Sequence, residues 1–544
     1  MTILAIARRC WPIGLLALGL AACFAVNVFW LHSSNRAPDD AWISLRYAEH
    51  LAGGEGLRYN PGGERVEGFS SPLHVACLAL LLRAGVPAQS ASQLSSVLAA
   101  AALLVVAAAW AWRRLGPVWG SLAALALALN PSLGMWARGG LETTLFAALV
   151  VAALAAADRE RPRALAVALG LLLWTRPEAP LYVAAAAAWL LWRGGGGRDA
   201  WRRSLAVAAG ALAVYAPWLL LRLAYFHDVL PNTYYAKMDG VRAAQLHRGL
   251  VYLGEFLRRS EVHTPLAIAA VGGAWHLARA RGARLRPDWP WLAAAFALAA
   301  VAFVLAAGGD NMAEQRFLLP AVAPLVLLGA AGAARLAAGP RARGARRGLT
   351  AVLGVAYLSQ PAGIALHHLR HPTFPLDRPL ALVDRGSADI VPRLWRLGRK
   401  LGTLLPPDAE LALVPAGALP EAGKLRIIDM LGLNDRQLAR VRVEGMGTHK
   451  QGHEKGDGAL VLARRPAYVI LNHNPNARYD AVSPPDMHLQ FRPVRQIWES
   501  PEFHRDYLPF LVAIDDSTSF TVYERRGRTP ALAGDGQGPP PLYR

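Results

Sequence analysis

Long apolar stretches separated by short arginine-rich segments recur through most of this sequence. They approach the roughly 20 residues that a helix needs to cross a bilayer, and only 18% of the 544 residues are charged. Water-soluble folds do not carry so many nearly uncharged runs, so we expect a polytopic α-helical membrane protein with about 11–12 transmembrane helices. The predicted spans are 10–31, 95–112, 117–130, 141–157, 163–174, 178–192, 204–222, 265–279, 289–307, 317–337 and 348–366.

The net charge of +20 is concentrated in short loops between the apolar runs. Such clusters mark the cytoplasmic side of a membrane protein, so nucleic-acid binding is not expected. This rule places the N-terminus on the cytoplasmic side and the C-terminal region outside. We further expect the membrane to be a bacterial inner membrane, with the C-terminal domain in the periplasm. The basic clusters are Arg8-Arg9, Arg113-Arg114, 159–163, 193–203, 279–286 and 341–347.

Two segments near the N-terminus allow more than one interpretation. Residues 72–87 are apolar but short, which fits a re-entrant or interfacial piece or one helix of a pair. Leu20-Ala21-Ala22-Cys23 resembles a lipoprotein signal, but the apolar run continues to Trp30, which favours an uncleaved first helix. The three cysteines offer no disulfide framework or metal-thiolate site.

The character of the chain changes after residue 366. Residues 1–366 form the predicted transmembrane domain, in which 32–71 is the first outer loop, and 367–379 is a linker. Residues 380–526 predict a soluble α/β domain, with strands near 411–414, 426–429 and 468–471. The Pro/Gly-rich tail, 527–544, predicts disorder.

The loops assigned to the outer face carry the unusual polar residues, which predicts one polar cavity there. Asp39 and Asp40 begin an amphipathic segment in the first of these loops. Two acids suit a helix N-terminus, but they also suit a general base or a site for a divalent cation such as Mg²⁺ or Mn²⁺. Sequence alone leaves these alternatives open.

Several cations in other outer loops are candidates for binding a phosphate leaving group: Arg138, Arg176, Lys237 and Arg316. The alternative is that each reaches toward lipid headgroups. Glu142, Glu178 and Asp310 lie in the same loops, and Glu142 also suits a helix start. Tyr234 and Tyr235 fit an interfacial anchor or a surface on which a sugar stacks.

Seven stretches carry a resemblance to a known family, in the same order along the chain. They are DDAWISLRYAEHLAGGEGLRYNPGGERVEGFSSPL (39–73), ARGGLETTLF (137–146), TRPEAPL (175–181), PNTYYAK (231–237), GGDNMAEQRFLLP (308–320), IDMLGLND (428–435) and GHEK (452–455). Together they resemble the GT-C superfamily of polyprenyl-phosphate-sugar glycosyltransferases, and most closely the actinobacterial terminal arabinofuranosyltransferases.

This resemblance implies an inverting transfer of a sugar, arabinofuranose being one candidate, from a polyprenyl-phosphate donor to a glycan, glycolipid or glycoprotein acceptor. It makes Asp39 or Asp40 the base, and the soluble domain, with Asp429, Asn434 and Asp435, an acceptor-positioning module. His453-Glu454 lacks a second histidine at helical spacing, so a turn is favoured there over a metal site. The segment EGFSSPL (67–73) departs from the family pattern, which leaves the acceptor side open.

Two other functions compete with this one. A transporter or flippase for a lipid-linked sugar should line both faces of its path, whereas the charges here are predicted on one face. A non-catalytic scaffold for envelope assembly should tolerate loss of either aspartate.

Overall fold

The computed structural model describes residues 17–31, 37–238, 240–279, 287–339, 343–370, 387–444, 446, 452–485, 488–527 and 541–543. The chain divides into two compact units, and neither is continuous in sequence. Unit 1 comprises Met1–Asn35, Gln93–Trp218 and Leu246–Val383. Unit 2 comprises Arg36–Ser92, Leu219–Gln245 and Asp384–Arg544.

Unit 1 is built from apolar helices, three of which extend past its sequence bounds. Each of the eleven predicted spans coincides with a helix within the described residues, because an unbroken apolar run satisfies its backbone polar groups internally as a helix. The helices are Ala17–Phe29 with the π-helical turn Val26–Leu31, Ala88–Ala128, Pro131–Ala137, Thr143–Asp158, Pro162–Leu173, Ala179–Arg193, Arg198–Phe226, Arg242–Arg258, Ser260–Arg279, Trp289–Ala307, the 3₁₀ turn Ala313–Leu318, Leu319–Ala337 and Arg343–Arg370.

Four helices in the described residues are long and apolar enough to cross a membrane, and several shorter apolar helices accompany them. The four are Ala88–Ala128, Arg198–Phe226, Trp289–Ala307 and Glu314–Ala337. The chain is therefore a multi-pass membrane protein, whereas the total of 11–12 crossings and their orientation stay predictions. The spans predicted at 95–112 and 117–130 are two arms of one helical element that breaks at Gly116, where φ is +80°.

Glycines bring two helices of unit 1 into close contact. A Cβ atom on Gly272 would overlap the backbone of Gly332, and one on Gly332 would overlap the backbone of Ile268. Small residues are what allow helix backbones to approach closely inside a membrane. The helices Ser260–Arg279 and Leu319–Ala337 are thus held by backbone packing.

Unit 2 contains a six-stranded mixed sheet. Its strands are β1 (Glu410–Leu413), β2 (Arg426–Asp429), β3 (Tyr468–Val469), β4 (Tyr507–Ala513), β5 (Ser519–Arg525) and β6 (Leu542–Tyr543), in the order β2-β1-β3-β5-β4-β6. β1 runs parallel to β2 and β3, and β5 runs antiparallel to β3 and β4. The three strands predicted from the sequence are confirmed as β1, β2 and β3.

Helices cover this sheet and complete its core. The buried cluster on one face includes Ile428, Met430, Val461, Val494 and Phe503. The helices of unit 2 are Asp39–Ala52, Pro72–Arg83, Asn232–Lys237, Ser387–Leu404, Ala418–Gly423, Arg436–Ala439, Gly458–Ala463, Arg492–Trp498 and Pro501–Asp506.

The predicted division at residues 366 and 380 stays a prediction, although unit 2 groups the chain differently by including 36–92 and 219–245. The linker lies outside the described residues from position 371 onward. The tail predicted as disordered contributes strand β6, because Leu542 and Tyr543 pair with Leu511 and Val512 of β4. Residues 528–540 of that tail lie outside the described residues.

Candidate functional site

The candidate residues divide between the two units. Unit 2 contains Asp39, Asp40, Tyr234, Tyr235 and Lys237, and unit 1 contains Arg138, Glu142, Arg176, Glu178, Asp310 and Arg316.

Asp39 is the first residue of helix Asp39–Ala52, and Pro38 is the residue that precedes the helix. Its carboxylate does not cap that helix. It accepts hydrogen bonds from the backbone N–H groups of Gly417 (2.9 Å) and Ala418 (2.7 Å), at the start of helix Ala418–Gly423. Both acids lie in the first turn of the helix, which confirms the helix-N-terminus alternative, but the Asp39 carboxylate bonds to donors far along the chain and makes no capping bond to its own helix.

Asp40 lies in the same first helical turn and is only half-buried. Its side chain makes no hydrogen bond or ion pair with the residues that the structure describes. Of the two adjacent acids, Asp39 is thus fixed by the protein and Asp40 remains available to a ligand.

Burial dominates the acid–base behaviour around Asp39. It raises the pKa of Asp39 from 3.8 to about 7, with the Asp40 and Asp429 carboxylates adding to the effect while the two amide bonds oppose it. Burial likewise raises the pKa of Asp429 to about 6. Asp429 accepts hydrogen bonds from the backbone of Leu431 (3.1 Å) and Asn434 (2.9 Å), which fixes the loop after β2.

Three candidates of unit 2 lie on the short helix Asn232–Lys237. Tyr234 is 40% exposed, and the ring of the half-buried Tyr235 lies 4.0 Å below the guanidinium of Arg440. Lys237 is half-buried beside Gly452 and has no ion pair or hydrogen bond with a described residue. On this helix Lys237 is accordingly the cation that can bind a ligand. One face of the Tyr235 ring is already covered by its cation–π contact with Arg440.

Arg176 is the centre of a buried ion triad in unit 1. Its Nη1 donates to Glu142 at 2.6 Å and its Nε to Glu178 at 2.5 Å, and all three residues are almost fully buried. Glu142 and Glu178 immediately precede the helices Thr143–Asp158 and Ala179–Arg193, where negative charge is favoured. Burial would lower the pKa of Arg176, but the two carboxylates more than offset this and raise it. The prediction that Glu142 starts a helix is confirmed, but Arg176 is already satisfied by carboxylates.

Arg316 is also paired within unit 1. It forms a buried ion pair with Asp310, and the Tyr252 hydroxyl donates to the same carboxylate at 2.9 Å. The ring of Phe317 lies 4.6 Å from the Arg176 guanidinium and 5.1 Å from that of Arg316. The Phe317 ring thus lies beside the arginine of each ion cluster.

Arg138 differs from Arg176 and Arg316, the other two candidate arginines of unit 1. It follows helix Pro131–Ala137 and is half-buried, and burial lowers its pKa. Its Nε atom is buried without a hydrogen-bond partner among the described residues. Arg138 and Lys237 are therefore the predicted phosphate-binding cations that form no ion pair with a carboxylate of a described residue.

Sequence reasoning missed several buried charges. Arg259 pairs with Glu314 and donates to Ser132 Oγ at 2.9 Å, and Arg222 of unit 2 forms a two-pronged pair with Glu67 at 2.6 and 2.9 Å. Glu314 lies inside the stretch GGDNMAEQRFLLP, and this position could have marked it as a candidate site residue. Glu67 likewise lies inside the stretch 39–73, whereas Arg222 lies in none of the seven stretches.

Arg46 is a further missed cation and is only 1% exposed. It donates to the carbonyl oxygens of Tyr59 (2.8 Å), Pro420 (2.8 Å) and Leu425 (2.6 Å). Three carbonyl groups thereby replace its water, which fastens the segment 36–92 to the region around 420–425.

Within the part of the chain that the structure describes, Asp39 and Asp40 belong to no larger group of metal-ligating side chains. The described residues contain no group of three or more His, Cys, Asp or Glu side chains that could hold a metal ion. Both oxygens of Asp39 are engaged by amides, so the pair offers one freely available carboxylate. The possible Mg²⁺ or Mn²⁺ site at Asp39 and Asp40 stays a prediction, and we derive no step through a metal.

The residues singled out in the soluble domain have structural partners. Asp435 caps helix Arg436–Ala439 by accepting from Leu438 N at 2.9 Å and pairs with Arg464. His453 stacks on Phe491 in an irregular segment, which supports the predicted turn at His453-Glu454.

The C-terminal region matches a known domain family. A family model described as a domain of unknown function (DUF8728) matches residues 387–523. No curated protein matches the chain in sequence.

The whole chain is similar to solved structures of membrane glycosyltransferases. ArnT from Cupriavidus metallidurans in the apo state is 15% identical with a TM-score of 0.55, over 95% of this chain and 98% of that chain. ArnT bound to undecaprenyl phosphate is 16% identical with a TM-score of 0.52, over 77% and 86% of the two chains. Arabinofuranosyltransferase AftD from Mycobacteria is 18% identical with a TM-score of 0.47, and only 40% of that chain is covered. The chain has the GT-C fold, and the predicted fold class is confirmed.

Proposed function

We propose that this protein is a membrane glycosyltransferase that moves a sugar from a polyprenyl-phosphate carrier to a hydroxyl group of a cell-envelope glycan, glycolipid or glycoprotein. The likeness to ArnT over 95% of this chain and 98% of that chain carries the proposal. One structure of ArnT is described as bound to undecaprenyl phosphate, which is a polyprenyl phosphate. A donor of this kind stays in the bilayer, so its enzyme must be embedded there too.

The base in this proposal is Asp40. Its carboxylate takes the proton of the acceptor hydroxyl, whose oxygen bonds to the anomeric carbon of the donor sugar. The bond from that carbon to the phosphate oxygen breaks, polyprenyl phosphate leaves with the electron pair, and the configuration inverts. A well-placed base contributes about 10²–10⁴ in rate because a hydroxyl group is a weak nucleophile while protonated.

Lys237, in the same unit as Asp40, is the preferred cation for the donor phosphate. Arg176 and Arg316 would each have to leave a buried carboxylate first, at the cost of an unpaired buried charge. Tyr234, with its exposed ring, is the preferred stacking surface for a sugar. We place the reaction on the periplasmic face of the bacterial inner membrane.

The test uses purified full-length protein with a cell-envelope glycan fraction as acceptor and a panel of polyprenyl-phosphate sugars as donors, arabinofuranose included, with and without a chelator. We expect turnover of at least one donor, and we expect Asp40→Asn to lower it about 10²–10⁴-fold with an unchanged melting temperature. Asp39→Ala is the contrasting variant. It leaves two amide donors unmatched and should lower stability by about 1–3 kcal/mol.

Full turnover by Asp40→Asn would remove Asp40 from the mechanism. Retained donor binding with no transfer of any sugar, for wild type and variant alike, would overturn the proposed function.

A further inference from the structure

A surface cleft of about 490 Å³ lies on the C-terminal part of unit 2, within the region matched by the domain of unknown function. Its volume is in the range of about 300–1,000 Å³ that is usual for small-molecule sites. The cleft is lined by Arg396, Arg399, Lys400, Thr403, Tyr479 and the segment 513–516. None of these residues belongs to the candidate site described above.

The cations of the cleft come from one face of helix Ser387–Leu404. Arg396, Arg399, Lys400 and Thr403 follow the i, i+3, i+4, i+7 spacing of a single helical face. Leu394, Leu397 and Leu401, on the opposite face, are buried. Packing of the apolar face therefore fixes the direction in which the basic face points.

The cleft contains both a fixed and an available cation. Arg396 donates to Asp515 at 3.0 Å, and Asp515 also accepts from Ser517 N at 3.1 Å. Arg399 is exposed and makes no ion pair or hydrogen bond with a described residue. Asp516 is likewise exposed on the facing loop.

The cleft combines cations, carboxylates and an aromatic ring, and together these groups favour some classes of ligand over others. A guanidinium in this position suits a carboxylate or phosphate group, whereas carboxylates such as Asp516 accept hydrogen bonds from hydroxyl groups. The Tyr479 ring adds an apolar face for sugar C–H groups. An anionic membrane surface fits less well, because Asp515 and Asp516 would repel it and a cleft is not a flat contact surface.

We propose that this cleft binds a sugar residue that carries an acidic group, within a glycan chain. Arg399 and Lys400 hold the acidic group, Asp516 accepts from sugar hydroxyls, and Tyr479 packs against the ring. The inference rests on the proposed function only in identifying this glycan as the acceptor, since the binding itself requires no transfer.

The experiment measures binding of a galacturonic acid trisaccharide to the full-length protein in detergent. A neutral galactose trisaccharide and phosphatidylglycerol vesicles serve as alternative ligands. We expect the acidic trisaccharide to bind and Arg399→Glu to weaken that binding by about 10-fold or more, because a charge-assisted hydrogen bond is lost. The matched control is Arg495→Glu, at an exposed arginine of helix Arg492–Trp498 outside the cleft, which should leave binding unchanged.

An equal loss of binding in Arg399→Glu and Arg495→Glu would show that only the net charge matters, and this would overturn the proposal. So would binding of the vesicles alone, or equal binding of the neutral and acidic trisaccharides. Acidic-glycan binding by a protein that transfers no sugar would overturn the proposed function and leave this site standing. Sugar transfer by a protein that does not bind the acidic glycan would overturn this binding site and leave the proposed function standing.

Discussion

Asp39 and Asp40 are adjacent in sequence, yet the structure gives them different surroundings. Asp39 accepts two backbone N–H groups from the segment Gly417–Ala418, and Asp40 meets no described partner. The first acid fastens one segment of unit 2 to another, while the second keeps its lone pairs for a substrate.

The raised pKa values around Asp39 predict how unit 2 responds to pH. Burial raises the pKa of Asp39 to about 7 and that of Asp429 to about 6, both from 3.8. Between the unfolded and folded pKa values the folded state binds more protons, so folding stability falls as pH rises from about 4 to about 7. Each group contributes at most ~1.4 kcal/mol per pH unit.

The Asp39→Asn variant has no carboxyl group to ionise at this position. Its melting temperature should therefore depend less steeply on pH than that of the wild type between pH 5 and 8. Thermal unfolding at several pH values in one detergent measures this. Parallel curves for the two proteins would show that Asp39 ionises without cost in the folded state.

Gly417 is required by the close approach of Asp39. A Cβ atom at position 417 would overlap the backbone carbonyl of Asp39, and backbone cannot move aside as a flexible side chain can. We expect Gly417→Ala to destabilise the protein by about 1–3 kcal/mol. Gly254→Ala, in open space on helix Arg242–Arg258, is the control and should be neutral or stabilising. Equal melting temperatures for the two variants would contradict this contact.

The ion triad of Arg176, Glu142 and Glu178 joins the starts of two helices in unit 1. Arg176→Met would remove the cation that two buried carboxylates share, and we expect a loss of about 3–5 kcal/mol in stability. Thermal unfolding measures this loss. Unchanged stability with a raised KM for the lipid donor would instead assign Arg176 to phosphate binding, as the sequence first suggested.

Helices and central strands were predictable because their physical cause is local. An apolar run of sufficient length forms a helix in a membrane wherever its neighbours lie, and β1, β2 and β3 follow from short apolar runs between turns. The choice of ion-pair partner is not local. Nothing near Arg176 in sequence shows that Glu142, 34 positions earlier, neutralises it, and nothing near Asp39 points to Gly417.

Unit 2 is assembled from three separated parts of the chain, and this affects the independence of the C-terminal domain. Arg46, Asn60 and Asp39 all bond to groups in the segment 416–427. Residues 384–544 contain the sheet and its core, but in isolation they lack those three partners.

We therefore expect residues 384–544, expressed alone, to aggregate or to unfold without a cooperative transition. Circular dichroism during heating measures this, with the full-length protein as the reference. A cooperative transition at the temperature of the intact chain would show that the first outer loop adds nothing to the domain.

The bonds of Arg46 also impose an order on biosynthesis. Its carbonyl partners at Pro420 and Leu425 are 374 and 379 positions further along, so the ribosome makes them long after the guanidinium has been synthesised. Until then this charge must stay hydrated, and the nascent loop that bears it cannot reach its final shape. A chain that ends before Pro420 therefore keeps the Tyr59 carbonyl but lacks two of the three oxygens that bind this guanidinium.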